Sequence, residues 1–222
     1  EAALFGRMVT SDVAANTDAA IHVAHAFTVH EQETETDYFT VVDDLKARDP
    51  EEDSGSAGIF DSELASGLYY GYVVVDVPLL VSNITGRKPE EWSAADVDRS
   101  LAGKVVEHLV HLIATVSPGA KKGSTAPYAF ARTVLVEVGE RQPRSLASAF
   151  EKPVKARGDV GLGAAADTAL AGQLARFDGA YGKAETRAHL SIDGLSDDVL
   201  GEARALDALA AWAAEVVVRA EA

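Results

Sequence analysis

The stretch Asp37–Leu45, DYFTVVDDL, decides how the rest of the chain is read. Tyr38, Phe39, Thr40, Val41 and Val42 are residue types whose rings and branched carbons suit a pleated surface. In a strand, Tyr38, Thr40 and Val42 point one way and Phe39 and Val41 the other. The run Asp49–Gly58, DPEEDSGSAG, has too little apolar content to be buried and reads as a mobile tip. The simplest arrangement is a strand, a loose tip and a return strand, together residues 31–61, projecting from a body made of residues 1–30 and 62–222.

The body has material for a sizeable core: 222 residues, 47% hydrophobic and 25% charged. No apolar run approaches the roughly eighteen residues of a membrane span. The opening EAALFGRM lacks the charged, apolar and cleavage regions of a signal peptide. There is no cysteine, which excludes disulfides and thiolate metal sites and fits a cytoplasmic protein. The net charge of −15 argues against nucleic-acid binding, because phosphate contacts need Lys and Arg. The charge is uneven, however. Glu31 to Gly58 alone carries ten acidic residues against two basic ones.

Outward from the projection, Ala3–Val9 reads as a short strand and Asp18–Val29 as a helix, introduced by Ser11, Asp12 and Asn16–Asp18 as cap-type residues. Leu64–Val77 reads as one long returning strand, ended by Pro78. A helix is expected over Ala94–Val116, burying Val97, Leu101, Val105, Leu109, Leu112 and Ile113. Ser117–Ala126 reads as a loop, Arg132–Val138 as a strand, Gly163–Tyr181 as a helix, Arg187–Ile192 as a strand and Asp198–Arg219 as at least one helix. Arg141–Arg157 is the most basic stretch, with Arg141, Arg144, Lys152, Lys155 and Arg157. A β-α-β-β-α-β order over the first 140 residues is the ferredoxin-like pattern, which also suits an RNA-recognition-like (RRM-like) palm. The fold class is therefore α+β: an incomplete RRM-like/ferredoxin-like palm, a protruding β-hairpin thumb and C-terminal helices.

Each candidate site has two readings. Tyr38 and Phe39 either close a core or act as a wedge that interrupts base stacking on a single strand. Lys121 and Lys122 are a solvated loop or a phosphate contact. Lys152, Lys155 and Arg157 are ordinary surface cations or, with Arg141 and Arg144, a local positive patch. His22/His25 and His108/His111 each stand three apart on an expected helix, a spacing that can seat a metal. With Asp43 and Asp44, the first pair defines a rival reading, a metal-dependent hydrolase. Adjacent residues of a strand face opposite sides, so Asp43 and Asp44 cannot both chelate without a turn. Gly158–Gly163, GDVGLG, lacks the GxGxxG spacing of a dinucleotide loop. A third reading is a protein-interaction domain that has lost its RNA-binding half.

Six blocks carry a resemblance. They are GRMVT (Gly6–Thr10), HVAHAFTVH (His22–His30), DYFTVVDDL, LYYGYVVVDV (Leu68–Val77), VEHLVHLIATVSPGAKK (Val106–Lys122) and ASAFEKPVKA (Ala147–Ala156). In this order and spacing they resemble the CasC-type (Cas-seven) backbone subunit of the type I-E CRISPR surveillance complex, Cascade. The resemblance implies a non-enzymatic scaffold without cofactor or metal. Copies of such a subunit polymerise along a CRISPR RNA guide, with other Cascade subunits, to recognise target DNA in antiviral defence. Each thumb displaces every sixth base. The positions that match the wedge are Tyr38, Phe39, Thr40 and Val42, with Ile59 on the return strand and Met8 beneath. Tyr38 stands where the family often has Trp, and keeps the flat ring. The GAK piece favours phosphate contact by Lys121 and Lys122. Lys152, Lys155 and Arg157 would face the groove along which target DNA runs, as backbone contacts without base selectivity. Family members carry a longer N-terminal region with a basic segment. The chain opens inside a family block without an initiator Met, so a longer parent protein is expected, with much of its positive surface in that region.

Overall fold

A computed structural model describes residues 1–41, 58–117, 126, 128–194 and 198–220. The first turn is a short helix, α1 (Ala2–Phe5), where a strand is expected. Leu4 enters a core with Ala20, Leu80 and Val81, and that burial outweighs the strand preference of so short a segment. Gly6 follows at φ +77°, where a Cβ would sit 2.9 Å from the Thr17 carbonyl oxygen. Arg7 and Thr17 then exchange backbone hydrogen bonds at 2.8 and 2.9 Å, closing a loop that carries Met8.

The helix expected over 18–29 is two strands, β1 (Ile21–Val23) and β2 (Phe27–Thr28). Branched Ile21, Val23 and Thr28 suit the pleat, and a partner is at hand. The single strand expected over 64–77 is cut at Gly67 and Gly71. It becomes the end of β4 (Gly58–Ser66), then β5 (Tyr69–Tyr70) and β6 (Val73–Val75). β1 pairs antiparallel with β6, Ile21 opposite Val75, and β2 with β5, Phe27 opposite Tyr70. β3 (Glu33–Val41) pairs antiparallel with β4 along its whole length. Among the described residues six strands thus follow α1 before the next α-helix, instead of the β-α-β-β-α-β order.

The last of these strands stops at Val75, before Pro78, which is the second residue of a helix, α2 (Val77–Thr85), that the sequence reading missed. The Asp76 carboxylate accepts the Leu79 N–H at 2.9 Å, and Gly86 closes the helix at φ +73°. The long helix α3 (Ser100–Thr115) starts later than expected. It turns Ala102, Gly103, Val110 and Ala114 inward and leaves Leu101, Leu112 and Ile113 exposed, contrary to the expected burial. The cause is α5 (Leu206–Arg219), which packs on the small-residue face. A Cβ on Gly103 would lie 2.6 Å from Val218 and 3.1 Å from the Ala214 carbonyl.

The second half follows the sequence reading, except that the stretch expected to be helical from Asp198 is α-helical only from Leu206 and carries a short strand before it. β7 (Thr133–Val138) pairs antiparallel with β8 (Thr186–Ser191), and β9 (Glu202–Ala203) lies parallel to β8. α4 (Leu162–Tyr181) covers one face of this sheet, where Leu135 packs with Ala171, Leu174 and Leu146. Val136, on the other face, packs with Val110, Ala210 and Ala213 of α3 and α5. The described residues therefore form a mixed α/β molecule with small, mostly antiparallel sheets and C-terminal helices.

Candidate nucleic-acid interface

The β3–β4 ladder sets Tyr38 opposite Asp61, Phe39 opposite Phe60 and Thr40 opposite Ile59. Opposed residues share a face and successive residues alternate, so Tyr38 and Thr40 lie on one face and Phe39 and Phe60 on the other. None of these side chains whose placement is described is buried. Tyr38 is 71% exposed and Phe39 and Phe60 are 48% exposed each. The two phenylalanine rings stack at 5.5 Å with 21° between their planes. Tyr38 and Phe39 therefore do not close the core. Across residues 31–41 and 58–66 the ladder carries Glu31, Glu33, Glu35, Asp37, Asp61 and Glu63 and no Lys, Arg or His. That charge disfavours phosphate contact along these residues.

The root of the ladder is tied down. The His30 ring receives the Leu68 N–H on Nε2 at 3.0 Å, and its Nδ1 meets the Glu31 carbonyl at 2.6 Å. An amide can only donate and a carbonyl only accept, so the ring is the neutral Nδ1–H tautomer. Gly67 lies against this ring, where a Cβ would come within 2.9 Å. Below, Phe27, Tyr70 and Phe150 form an aromatic triad with centroids 5.5–6.4 Å apart. The Tyr70 hydroxyl accepts the Leu146 N–H at 3.0 Å. Beside them, Val154 N–H bonds to the Val29 carbonyl at 2.8 Å and Lys155 pairs with Glu31 at 3.1 Å.

The basic stretch divides into two parts. Arg141 and Arg144 belong to an ion cluster around Arg187, so they do not extend the expected positive patch. The Arg187 side chain is 0% exposed and meets Asp178 at 2.5 Å, Glu137 at 2.7 Å and Glu185 at 3.1 Å. Arg141 reaches Glu185 at 2.9 Å, and Arg144 reaches Glu137 at 3.3 Å while lying over the Phe177 ring. Hydrogen bonds from Arg187 hold the Asp178 carboxyl below its ordinary range. Burial pushes Glu185 up, but the charge of Arg144 and the bond from Arg141 outweigh it and leave it lowered. Burial also pulls Arg187 down, and its bonds to Asp178 and Glu137 carry it above its ordinary value. Lys152, Lys155 and Arg157 lie exposed on irregular chain leading to a tight turn at Gly158, φ +56°. Lys152 and Arg157 have no ion-pair partner among the described residues.

Met8 is 84% exposed on its own loop, where Asn16 Oδ1 accepts the Val9 N–H at 2.6 Å. Val42, Asp43, Asp44, Lys121 and Lys122 lie outside the described residues. His22 sits on β1 and His25 just beyond it, both exposed, so the helical spacing that suggested a metal pair does not exist there. His108 and His111 are on α3, and His111 lies 3.6 Å from Asp207. Phe60 escaped the sequence reading. It follows the acidic tip, and only the strand register brings it to Phe39. The aromatic and branched run Gly58–Phe60 was the available signal.

No described helix is long and apolar enough to cross a membrane. In fold, the chain is similar to subunits of CRISPR RNA-guided surveillance complexes. It matches a chain of the "CRISPR RNA-guided surveillance complex, pre-nicking" at 28% identity and TM-score 0.76, covering 96% of this chain and 55% of that one. It matches a chain of a "CRISPR RNA-guided surveillance complex" at 28% identity and TM-score 0.77, covering 96% of this chain and 76% of that one. A search of curated proteins finds no match. The chain belongs to the CT1975-like protein family, whose model matches residues 1–212.

Proposed function

We propose that this protein is a CRISPR RNA-binding backbone subunit of a type I-E Cascade complex. It acts as a scaffold rather than an enzyme, and works in the cytoplasm. Residues 1–30 and 62–222 form an RRM-like palm that grips the guide, and residues 31–61 form the thumb. Copies assemble along the guide RNA with other Cascade subunits, and each thumb displaces one base in six. The complex then recognises target DNA by base pairing, while the protein reads backbone geometry, a division of labour known in another RNA-guided effector. The observation that carries the reading is the exposed Tyr38 and Phe39 on a cation-free ladder, where each stacked base can contribute about 1–3 kcal/mol. The family match and the two surveillance-complex structures support it.

In this reading Thr40, Val42 and Ile59 complete the wedge and Met8 supports it from its separate loop. Lys121, Lys122, Lys152, Lys155 and Arg157 contact nucleic-acid backbone. Of these, Lys155 would exchange Glu31 for a phosphate. Converting Phe39 and Val42 together to Ala tests the wedge. Guide-bound assemblies measured by native mass spectrometry should become fewer or shorter. Unchanged assembly and unchanged target binding would reject the wedge role.

A further inference from the structure

Phe60 has no role in the reading above, yet it is the ring in contact with Phe39. We propose that Phe39 and Phe60 form a two-ring platform on which one base of single-stranded RNA stacks, while Tyr38, on the opposite face of the ladder, meets a second, neighbouring base. The inference rests on the proposed function and adds a residue and a direction to it. Three observations lead there. The two rings are nearly parallel, at 21°, and directly opposed across the strands, so a third flat ring can extend the stack. Each ring remains 48% exposed, so the pair keeps apolar surface that the other described residues do not cover. The surrounding charge is entirely acidic over the ladder residues, which selects a neutral flat partner and turns away phosphates and anionic lipid surfaces.

A cross-strand phenylalanine pair also stabilises a hairpin, and that function alone would explain why the rings touch. It does not require them to stay open to solvent beside a tyrosine on the reverse face. The two faces differ chemically: one offers two hydrocarbon rings, the other one phenol next to Thr40 and Asp61. A wedge of this kind is asymmetric. The base on the phenylalanine side should be held by stacking, and the base on the tyrosine side by one ring with a hydroxyl.

The test uses the protein assembled on guide RNA, with 2-aminopurine placed in turn at each position of one six-nucleotide repeat. Fluorescence should be quenched at the position stacked on the platform. Phe60→Ile keeps strand preference and apolar bulk but removes the ring. It should relieve the quench at that position only, and weaken guide binding on the order of tenfold, as loss of one base–ring stack does. Phe60→Trp should return binding to the wild-type level and deepen the quench beyond it. If Phe60→Ile frays the ladder, seen as hydrogen-exchange protection lost along β3 and β4, then Phe60→Trp decides alone. A larger ring deepens the quench if the platform exists, and an unchanged quench overturns it. An unchanged quench and affinity in a folded Phe60→Ile protein overturns the platform and leaves the proposed function standing. Lost binding to a basic protein subunit with an unchanged quench overturns it too, and gives the rings to a protein contact. Wild-type protein that binds no guide overturns the proposed function and this inference with it.

Discussion

The molecule holds two groups of aromatic rings that look alike in sequence and behave oppositely in space. Phe27, Tyr70 and Phe150 are drawn together by three separate segments, and the Tyr70 hydroxyl takes the Leu146 amide. Tyr38, Phe39 and Phe60 stand on a two-stranded ladder and keep about half or more of their surface open. The first group holds the root of the ladder to the body. The second contributes little that the body needs. Type of residue does not separate them. What separates them is whether other elements converge on the same face.

If that contrast is right, body and ladder substitutions should have opposite readouts. The largest effect on stability should come from Arg187→Met. It strands Glu137, Asp178 and Glu185 near one another, and the loss of a partner from such a buried cluster costs about 3–5 kcal/mol. Chemical denaturation at neutral pH measures it. The pH dependence follows from the carboxyls. Asp178 and Glu185 are lowered in the folded protein, so the stability they contribute is complete above the ordinary carboxylate range and is lost as pH falls through the lower folded values. The gap between wild type and Arg187→Met should therefore narrow below about pH 4. A constant gap down to acid unfolding would contradict the ion cluster's role.

Tyr70→Phe should cost about 1 kcal/mol, the worth of one hydrogen bond, and should leave guide binding close to normal. Tyr38→Ala should do the reverse, leaving the melting temperature of the body unchanged while weakening guide binding. The smallest effects should come from Lys152→Ala and Arg157→Ala. Stability should stay within about 0.5 kcal/mol, as for ordinary surface positions. If each touches one phosphate, the salt dependence of nucleic-acid binding should flatten by roughly one power per residue.

The ladder strand was legible because Tyr38–Val41 is dense in strand-forming types and is followed by a polar tip. The β7–α4–β8 unit was legible for a similar reason: Val134, Val136 and Val138 alternate, and Gly163–Tyr181 is long enough to hold a helix. The first half was not. Asn16, Thr17 and Asp18 look like the start of a helix, but Ile21–Val23 and Phe27–Thr28 find strand partners 41 to 54 residues away, and pairing outweighs local preference. α2 begins at the last residue of the apolar run Leu64–Val77, whose branched residues favour a strand. Asp76 before it and Gly86 after it were the helix signals. In the interface, Tyr38 and Phe39 could be named from one strand, whereas Phe60 needed the register of two. The loss of Arg141 and Arg144 to the acid cluster depended on β7, α4 and β8 meeting, which no spacing along the chain announces.

The central claim is that the open rings of the ladder meet bases of the guide. Chemical probing of guide RNA in the assembled complex, read nucleotide by nucleotide, tests it most directly. With wild-type protein one base in six should be reactive and the other five protected. With Tyr38→Ala and Phe39→Ala combined, that period should fade while the melting temperature of the protein holds. A six-base pattern that persists unchanged in the double variant would contradict the account.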